Sequence, residues 1–318
     1  MIKTKFARII LTGIVQGVGF RPFLYNDVRK RAPQLAGSIK NSGNLGVVVD
    51  LVSPSDEFDF NQFAAQLRSN SPKMAYIERM QVVEPPEEAI QALKTQKTLE
   101  IEPSGNLVGE SITLPPDIAM CDDCIAEFNV ESDPRRGHYE FTSCVKCGPR
   151  FTIMKTLPYD RERSAMVAFP FCEDCTTEYE DPNDRRFHAQ TFCCRYCGPF
   201  YYKYRGELFP KYPQPNETED LVEDLREGKI VALKGIGGVN LVCRADKREV
   251  VQALRTRKKG RKYKPFAVMM PNVKVARRYC EISPPYQELL QSYRTPIVLC
   301  PKREDQATSL PDNVAPGM

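Results

Sequence analysis

The order of apolar and polar residues in the first hundred positions predicts strands and helices in alternation. Strand patterns, alternating or continuously apolar, occur in KFARIILTGIV, LAGSIKN, LGVVVDLV and AYIERMQVV. Helical spacing occurs in PFLYNDVRKRA, which Pro22 opens, and in SPSDEFDFNQFAAQLRSN, which begins with a capping serine. The second and third strands are joined by a hairpin turn at Ser42, Gly43 and Asn44. The order β-α-β-β-α-β predicts a ferredoxin-like α+β fold, with one sheet and two helices on a single face.

Four Cys-x-x-Cys pairs in the middle of the chain form a tandem duplication. Each copy has an opening pair, an Arg-Arg-x-His run and a closing pair followed by Gly-Pro. Two such pairs complete a closed tetrahedral four-thiolate zinc site, with each sulfur at about 2.3 Å from the ion. The sequence therefore predicts two zinc ions, and they are structural because no coordination position is left open for water. The predicted ligands are Cys121, Cys124, Cys144, Cys147, Cys172, Cys175, Cys194 and Cys197.

Other interpretations of the cysteines are less consistent with the pattern. A disulfide framework is unexpected in a chain of this size without a signal peptide, and a redox Cys-x-x-Cys motif normally occurs once rather than four times. Pairing within a copy and pairing between copies satisfy the same ligand count. His138 and His188 stand at equivalent positions, where we expect packing or hydrogen bonding around the metal site rather than ligation. Cys193 adjoins Cys194, but only Cys194 has the ligand spacing to Cys197.

Composition limits the class of protein. The 318 residues are 42% apolar and 27% charged, which is ordinary for a globular protein of two or three domains. No apolar run approaches the roughly 20 residues of a membrane span, and the amino terminus lacks the apolar core of a signal peptide, so we expect a cytoplasmic protein. The net charge of +4 makes nucleic acid an unexpected partner, although residues 255–264 are locally basic.

Segments rich in proline and glycine divide the chain into three predicted domains. One such segment is EPSGNLVGESITLPPD at 102–117, and another is GELFPKYPQPNETED at 206–220. The domains are expected at 1–103, 117–204 and 218–318.

The segment GIVQGVGFRPF, at 13–23, connects the first predicted strand to the first helix. Its glycines allow backbone amides to turn toward an anion, and the amino terminus of the helix adds partial positive charge. Arg21 lies at that terminus, and its planar guanidinium can hold two phosphate oxygens. The loop is thus a candidate phosphate site, although a glycine-containing connection is often only a turn.

This loop resembles the acylphosphatase signature, and KNSGNLGV resembles the second motif of that family. The resemblance implies that Arg21 and the loop amides bind an acyl phosphate, and that Asn41 orients the attacking water. Without the resemblance, Asn41 is equally a residue that closes the hairpin. No covalent nucleophile is needed, because positioning of water and charge stabilisation supply the rate. The loop amides belong to Gln16, Gly17, Val18, Gly19 and Phe20.

The three predicted domains in this order resemble the amino-terminal part of the HypF family of hydrogenase maturation carbamoyltransferases. The motifs that carry the resemblance are the acylphosphatase loop, CGPRFTI and DRRFHAQ in the cysteine repeats, and GKIVALKGIGG and LRTRKKGRKYKPFAVMM beyond them. The last two resemble the start of a YrdC-like nucleotide-binding domain. The resemblance covers nearly the whole chain.

The resemblance implies an enzyme that uses carbamoyl phosphate and ATP. Carbamoyl phosphate is hydrolysed at the first domain, carbamate and ATP give carbamoyl adenylate at the YrdC-like domain, and a later domain passes the carbamoyl group to a HypE-like acceptor protein for the cyanide ligand of a nickel–iron centre. Arg255 and Lys259 are expected to be merely solvated. The residues implied for nucleotide contact are Lys234, Arg257, Lys258, Arg261 and Lys264.

The third segment departs from the family pattern. Val239 and Asn240 replace an expected aromatic residue and histidine, and Arg244 replaces an expected acidic residue, which weakens the expectation of nucleotide affinity. The chain ends at SLPDNVAPGM, partway through the YrdC-like pattern, so we expect a fragment or split product with unpaired strand edges and exposed apolar surface.

A second functional class is a zinc-containing RNA-binding protein, related to tRNA threonylcarbamoylation through the YrdC-like segment. The basic segment 255–264 is the feature that favours it. The low net charge favours the enzyme, and salt-dependent tRNA binding separates the two hypotheses.

Overall fold

The computed structural model describes residues 4–104, 114–203, 218–259, 263–303 and 310–316. It divides into two compact units, residues 1–199 and 200–318. In the described ranges no helix is long and apolar enough to cross a membrane.

The first unit begins with a five-stranded sheet in the order β4-β1-β3-β2-β5. Neighbouring strands are antiparallel except β2 and β5, which are parallel. The predicted β-α-β-β-α-β order is present and is followed by one more helix and strand. The elements are β1 (Lys5–Ile14), α1 (Phe20–Arg31), β2 (Ala36–Asn41), β3 (Val47–Ser53), α2 (Phe60–Asn70), β4 (Tyr76–Val83), α3 (Glu87–Thr95) and β5 (Leu99–Ile101).

The main core lies between this sheet and helices α1 and α2. Ile9, Leu11 and Leu51 from the strands are fully buried against Leu24 of α1 and Leu67 of α2. Alternation along the strands therefore places the largest apolar residues on one face, as the period-two pattern predicts. This packing fixes the positions of the β1–α1 loop and of the end of β2.

The starts of both helices differ from the prediction. Helix α1 begins at Phe20 rather than Pro22, because Gly19 adopts the left-handed conformation (φ 73°) that ends the loop. Helix α2 is capped by Asp59, whose carboxylate accepts hydrogen bonds from the amides of Asn61 (2.9 Å) and Gln62 (3.0 Å), and not by a serine. An aspartate caps a helix as well as a serine does, and the aspartate lies where the apolar periodicity begins.

The opposite face of the sheet is also covered, whereas the sequence pattern predicted helices on one face only. Leu93 of α3 packs there against Phe6, Ala36 and Val52. Helix α3 has nine residues and β5 has three, so both are shorter than the window of about 11 residues over which helical periodicity is judged.

The cysteine repeats fold into short helices and turns with little regular structure. Helices α4 (Asp122–Phe128) and α5 (Glu173–Glu180) each begin directly after the first cysteine of an opening pair. Cys121 and Cys172 are the residues at the amino caps, so equivalent positions of the two copies fold in the same way. The rest of the repeat region has short 3₁₀ turns, at Phe151–Ile153, Arg161–Arg163 and Ala165–Ala168.

The second unit contains one two-stranded antiparallel sheet, and within the described residues it pairs with no further strand. Apolar side chains are widely exposed, including Val239 at 64% and Ile297 at 79%. The small sheet is consistent with the expected exposed edges and apolar surface. The elements are α6 (Thr218–Arg226), β6 (Val231–Gly235), β7 (Gly238–Val242), α7 (Arg248–Arg257), α8 (Val273–Ala276) and α9 (Pro284–Leu290).

Candidate anion site and metal centres

The eight cysteines of the repeats form two clusters, one in each copy. Cys121, Cys124, Cys144 and Cys147 make the first, and the second copy supplies Cys172, Cys175, Cys194 and Cys197. The structure thereby selects pairing within a copy over pairing between copies.

The sulfur positions fit tetrahedral zinc. Four sulfurs at about 2.3 Å from one ion stand about 3.8 Å apart, by tetrahedral geometry. In the first cluster the separations are 3.7 Å (Cys121 to Cys144), 3.9 Å (Cys144 to Cys147) and 3.5 Å (Cys147 to Cys124). In the second they are 3.7 Å (Cys172 to Cys194), 3.8 Å (Cys194 to Cys197) and 3.6 Å (Cys197 to Cys175).

The Arg-Arg run of the second copy contacts the cluster of the first copy. Arg185 donates through Nη1 to the sulfur of Cys124 (2.8 Å) and through Nη2 to Glu127 (2.5 Å). Arg186 donates to the same carboxylate through Nη2. Four thiolates around a divalent ion leave two net negative charges, so these guanidinium groups balance charge at the site.

The reciprocal contact is made by the Arg-Arg run of the first copy. Arg135 donates to the sulfur of Cys175 (3.1 Å) and to Glu178 (2.7 Å), and Arg136 donates twice more to that glutamate. Burial alone would raise the pKa of Glu178, but the hydrogen bonds from Arg136 and Arg135 outweigh it and hold the pKa below its usual value. The arginine pair of each copy therefore contacts the cysteine cluster and the glutamate of the other copy, and we call this arrangement the exchange of arginines.

Cys193 lies outside both clusters. It packs with Ile153 and Met166, and its sulfur is 3.4 Å from the hydroxyl of Tyr139. Burial raises the pKa of Cys193 to about 11, so the group is a neutral thiol. The cysteine that joins the cluster at this place is Cys194, which has the predicted ligand spacing.

The loop of Gln16 to Phe20 has the backbone features of an anion site. Within the described residues, none of these five amides donates a hydrogen bond to another protein group. Gly17 (φ 71°) and Gly19 (φ 73°) have left-handed backbone conformations. A Cβ at Gly19 would stand 2.9 Å from a methyl group of Val145, so glycine is also required for close approach of the repeats.

Arg21 and Asn41 meet beside this loop. With the Asn41 amide oriented so that its oxygen faces the guanidinium, that oxygen accepts hydrogen bonds from Nη2 (3.2 Å) and Nε (3.3 Å) of Arg21. The two residues are 8% and 1% exposed. The structure thus brings together the arginine, the asparagine and the loop that the sequence singled out, from α1, the end of β2 and the β1–α1 connection.

The cysteine repeats form the far wall of this pocket, which the sequence did not predict. Asp160 accepts a 2.8 Å hydrogen bond from Nη2 of Arg21, and the carbonyl of Tyr159 accepts another at 3.3 Å. Burial lowers the pKa of His188 to about 4, and the positive charge of Arg21 acts in the same direction. The residues of the repeats that line the pocket include Cys144, Val145, Arg150, Tyr159, His188, Ala189, Gln190 and Thr191.

Arg150 joins the repeats to the loop. It is 2% exposed and donates to the backbone oxygen of Gly17, to the carbonyls of Cys147 (2.9 Å) and Val145 (2.9 Å), and to the hydroxyl of Thr191 (3.4 Å). All of these acceptors are neutral, so a positive charge is held directly behind the anion loop. A sequence signal for it exists: the first copy ends in Cys-Gly-Pro-Arg, and the second replaces this arginine with Phe200.

The predicted nucleotide-contact residues lie on the second unit without forming a described site. Lys234 on β6, Arg257 in the last turn of α7 and Lys264 are exposed, and Lys258 is half-buried. Arg261 lies outside the described residues. Nucleotide contact at these positions therefore stays a prediction.

Arg255 is not solvated as expected. It donates to the backbone oxygens of Asn313 and Val314 (3.0 Å), and its guanidinium stands 4.4 Å from the ring of Phe266. The side chain holds α7 to the end of the described chain, because its planar donors match several carbonyls at once.

Three family models match successive parts of the chain. The model described as Acylphosphatase matches residues 7–94, HypF finger matches 120–154 and 171–203, and Telomere recombination, of the Sua5/YciO/YrdC type, matches 223–318. The Carbamoyltransferase HypF of Rhodobacter capsulatus is 40% identical over 314 residues, which are 98% of this chain and 39% of the relative. The chain is similar to HypF proteins over nearly its whole length. The Probable carbamoyltransferase HypF of Methanocaldococcus jannaschii is 40% identical over 307 residues, covering 96% of this chain and 38% of the relative.

Solved HypF structures have the same fold over this chain. A crystal structure of full-length HypF in the phosphate- and nucleotide-bound form matches with a TM-score of 0.82 and 38% identity, over 99% of this chain and 39% of that one. The HypF of T. kodakarensis matches with a TM-score of 0.79 and 39% identity, over 99% and 38%. The predicted fold class is confirmed, and the chain spans about 39% of the length of the HypF relative from R. capsulatus.

Proposed function

We propose that the pocket beside Arg21 hydrolyses carbamoyl phosphate, as the first step of a carbamoyl transfer. The observation that carries the proposal is the convergence of buried Arg21 and Asn41 with five loop amides that donate to no group among the described residues. Support comes from relatives named as carbamoyltransferases and from a HypF structure in a phosphate-bound form.

The role proposed for each residue of the pocket follows from the hydrogen-bond donors that it presents. Arg21 and the loop amides hold the phosphoryl oxygens, and Arg150 adds positive potential from behind the loop. Asn41 orients a water, whose oxygen attacks phosphorus while the bond from phosphorus to the carbamate oxygen breaks. The proton of the water passes to a phosphoryl oxygen, so carbamoyl phosphate and water yield carbamate and dihydrogen phosphate. Positioning and charge stabilisation supply the acceleration, and no side chain forms a covalent intermediate.

For the second unit we propose the use of ATP to form carbamoyl adenylate, for transfer to a HypE-like acceptor protein. Its support is the family match over residues 223–318 and the names of the relatives. The proposed nucleotide contacts are Lys234, Arg257, Lys258, Arg261 and Lys264. The two zinc sites need reduced thiols, which a cytoplasmic location would provide.

The test is phosphate release from carbamoyl phosphate, after subtraction of its spontaneous decomposition. Arg21→Ala removes the planar donors that stabilise the developing charge, and we expect it to lower kcat/KM by about 100-fold or more. Arg21→Lys retains the positive charge without the planar guanidinium and should recover only part of the rate.

The matched control is Arg29→Ala, because Arg29 lies exposed on the same helix. It should retain the rate of the unmodified chain. Equal phosphate release from the unmodified chain and from a folded Arg21→Ala variant would sink the assignment.

A further inference from the structure

Asp160 places a carboxylate at the arginine of the proposed phosphate site. Its Oδ1 accepts the 2.8 Å hydrogen bond from Arg21, and the two side chains are 14% and 9% exposed. Asp160 lies at the start of the 3₁₀ turn Arg161–Arg163, between the two copies of the repeat, and therefore comes from outside the acylphosphatase-like sheet.

A negative charge is unfavourable beside a pocket that only has to bind phosphate. Like charges repel strongly where water is largely excluded, so the carboxylate lowers the affinity for a phosphate dianion. Its position is understandable if it recognises another part of the substrate, in particular a group that donates hydrogen bonds.

The side chains of Gln190 and Thr191, which line the wall, are already engaged. The amide nitrogen of Gln190 donates to the carbonyl of His188 (2.6 Å), and its oxygen accepts from the amide of Arg161 (2.9 Å). The hydroxyl of Thr191 accepts from Arg150. Within the described residues Oδ2 of Asp160 accepts no hydrogen bond from the protein, so it is a charged acceptor that a ligand beside Arg21 can use.

We propose that Asp160 accepts a hydrogen bond from the amino group of carbamoyl phosphate and thereby selects it over acyl phosphates that carry an alkyl group. This inference rests on the proposed hydrolysis. Carbamoyl phosphate and acetyl phosphate share the phosphoryl and carbonyl groups and differ in an amino group against a methyl group. A carboxylate that receives an N–H stabilises the first substrate and leaves a buried charge against the methyl group of the second.

The test compares kcat/KM for carbamoyl phosphate and acetyl phosphate in the full 318-residue chain. Asp160→Asn keeps the shape of the side chain, and when its oxygen faces Arg21 its amide nitrogen presents donors to the substrate. We expect the ratio of carbamoyl to acetyl phosphate hydrolysis to fall about 10- to 100-fold, by loss of a charged hydrogen bond. A role limited to orienting Arg21 would change both substrates alike.

Glu162→Gln is the matched control, because it removes an exposed carboxylate two residues away. It should leave the ratio unchanged. A second measurement needs no variant: the unmodified chain should prefer carbamoyl phosphate by about tenfold or more.

Three outcomes overturn the inference in distinguishable ways. Equal kcat/KM for the two substrates in the unmodified chain removes the selectivity itself. An unchanged ratio in folded Asp160→Asn, with hydrolysis still dependent on Arg21, shows that Asp160 does not cause the selectivity. The proposed function is then unaffected. Hydrolysis of neither substrate removes the proposed function and this inference with it.

Discussion

The two copies of the cysteine repeat have the same local structure and different surroundings. His138 and His188 adopt the same unusual backbone conformation (φ 53° and 51°), and their amides bond to the carbonyls of Phe128 and Tyr179 at equivalent places. Yet the His138 side chain is 56% exposed beside Glu131, whereas His188 lines the pocket next to Arg21. The cysteine cluster determines the fold of a copy, and the position of the copy against the sheet determines what its side chains do.

The first prediction removes the metal from one copy at a time. Cys124→Ser with Cys147→Ser should reduce bound zinc from two ions to one, as should Cys175→Ser with Cys194→Ser. Each change abolishes one site, and structural zinc contributes on the order of 10 kcal/mol to folding of such modules. Metal analysis and cobalt substitution, which gives thiolate charge-transfer absorption, report the number of intact sites.

Cys193→Ser is the control for that experiment, because its sulfur faces Tyr139 and not the cluster. It should keep both ions. Loss of an ion from Cys193→Ser, or retention of two ions by either double variant, would contradict the assignment of ligands.

The second prediction addresses the exchanged arginines. Arg185→Ala with Arg186→Ala should speed chelator removal of zinc from the first cluster by about 10-fold or more, because a partner that balances a ligand's charge is worth 10- to 100-fold in affinity. Arg135→Ala with Arg136→Ala should do the same to the second cluster. Each pair is tested in a chain that keeps one cluster through the cysteine variants above.

Lys146→Ala is the matched control, because Lys146 belongs to the first copy but its exposed side chain bonds to Asp123. Its release rate should match that of the unmodified chain. If each arginine pair labilised the cluster of its own copy, the exchange across the interface would be wrong.

Features formed by residues close together in the chain could be predicted from the sequence, whereas features formed by packing of distant segments could not. The cysteine spacing predicts the two clusters because all four ligands of each lie in one short segment. The ferredoxin-like order and the loop beside Arg21 were likewise predictable from local patterns. Helix α3 was missed because it is only nine residues long, and Asp59 replaced the predicted serine cap because both residue types satisfy the same amides.

The pocket wall could not be predicted because it depends on how the repeats pack against the sheet. Asp160 is separated from Arg21 by 139 positions in the chain. No periodicity relates two such residues, and the break in the duplication at Arg150 is the sequence signal that points to this wall. The exchange of arginines is also a property of the interface, since each run has the same sequence pattern whichever cluster it contacts.

The smallest expected effect is a difference between His138 and His188 in how the free energy of unfolding depends on pH. Burial holds the pKa of His188 at about 4, whereas an unfolded histidine has a pKa of about 6.5. As the pH falls from 7.5 to 5.5 the unfolded chain takes up a proton there and the folded chain does not, so folding loses on the order of 1 kcal/mol. His188→Gln should remove that part of the acid destabilisation, measured by denaturant unfolding of the zinc-loaded chain at the two pH values.

His138→Gln removes an imidazole from the equivalent backbone position on the exposed side, and it controls for loss of the ring itself. The two variants share a left-handed backbone conformation, so any strain that glutamine introduces there is common to both. Their difference therefore isolates the pocket around His188. If His188→Gln lost stability with acid as steeply as the unmodified chain, the second copy would not bury a neutral histidine against Arg21.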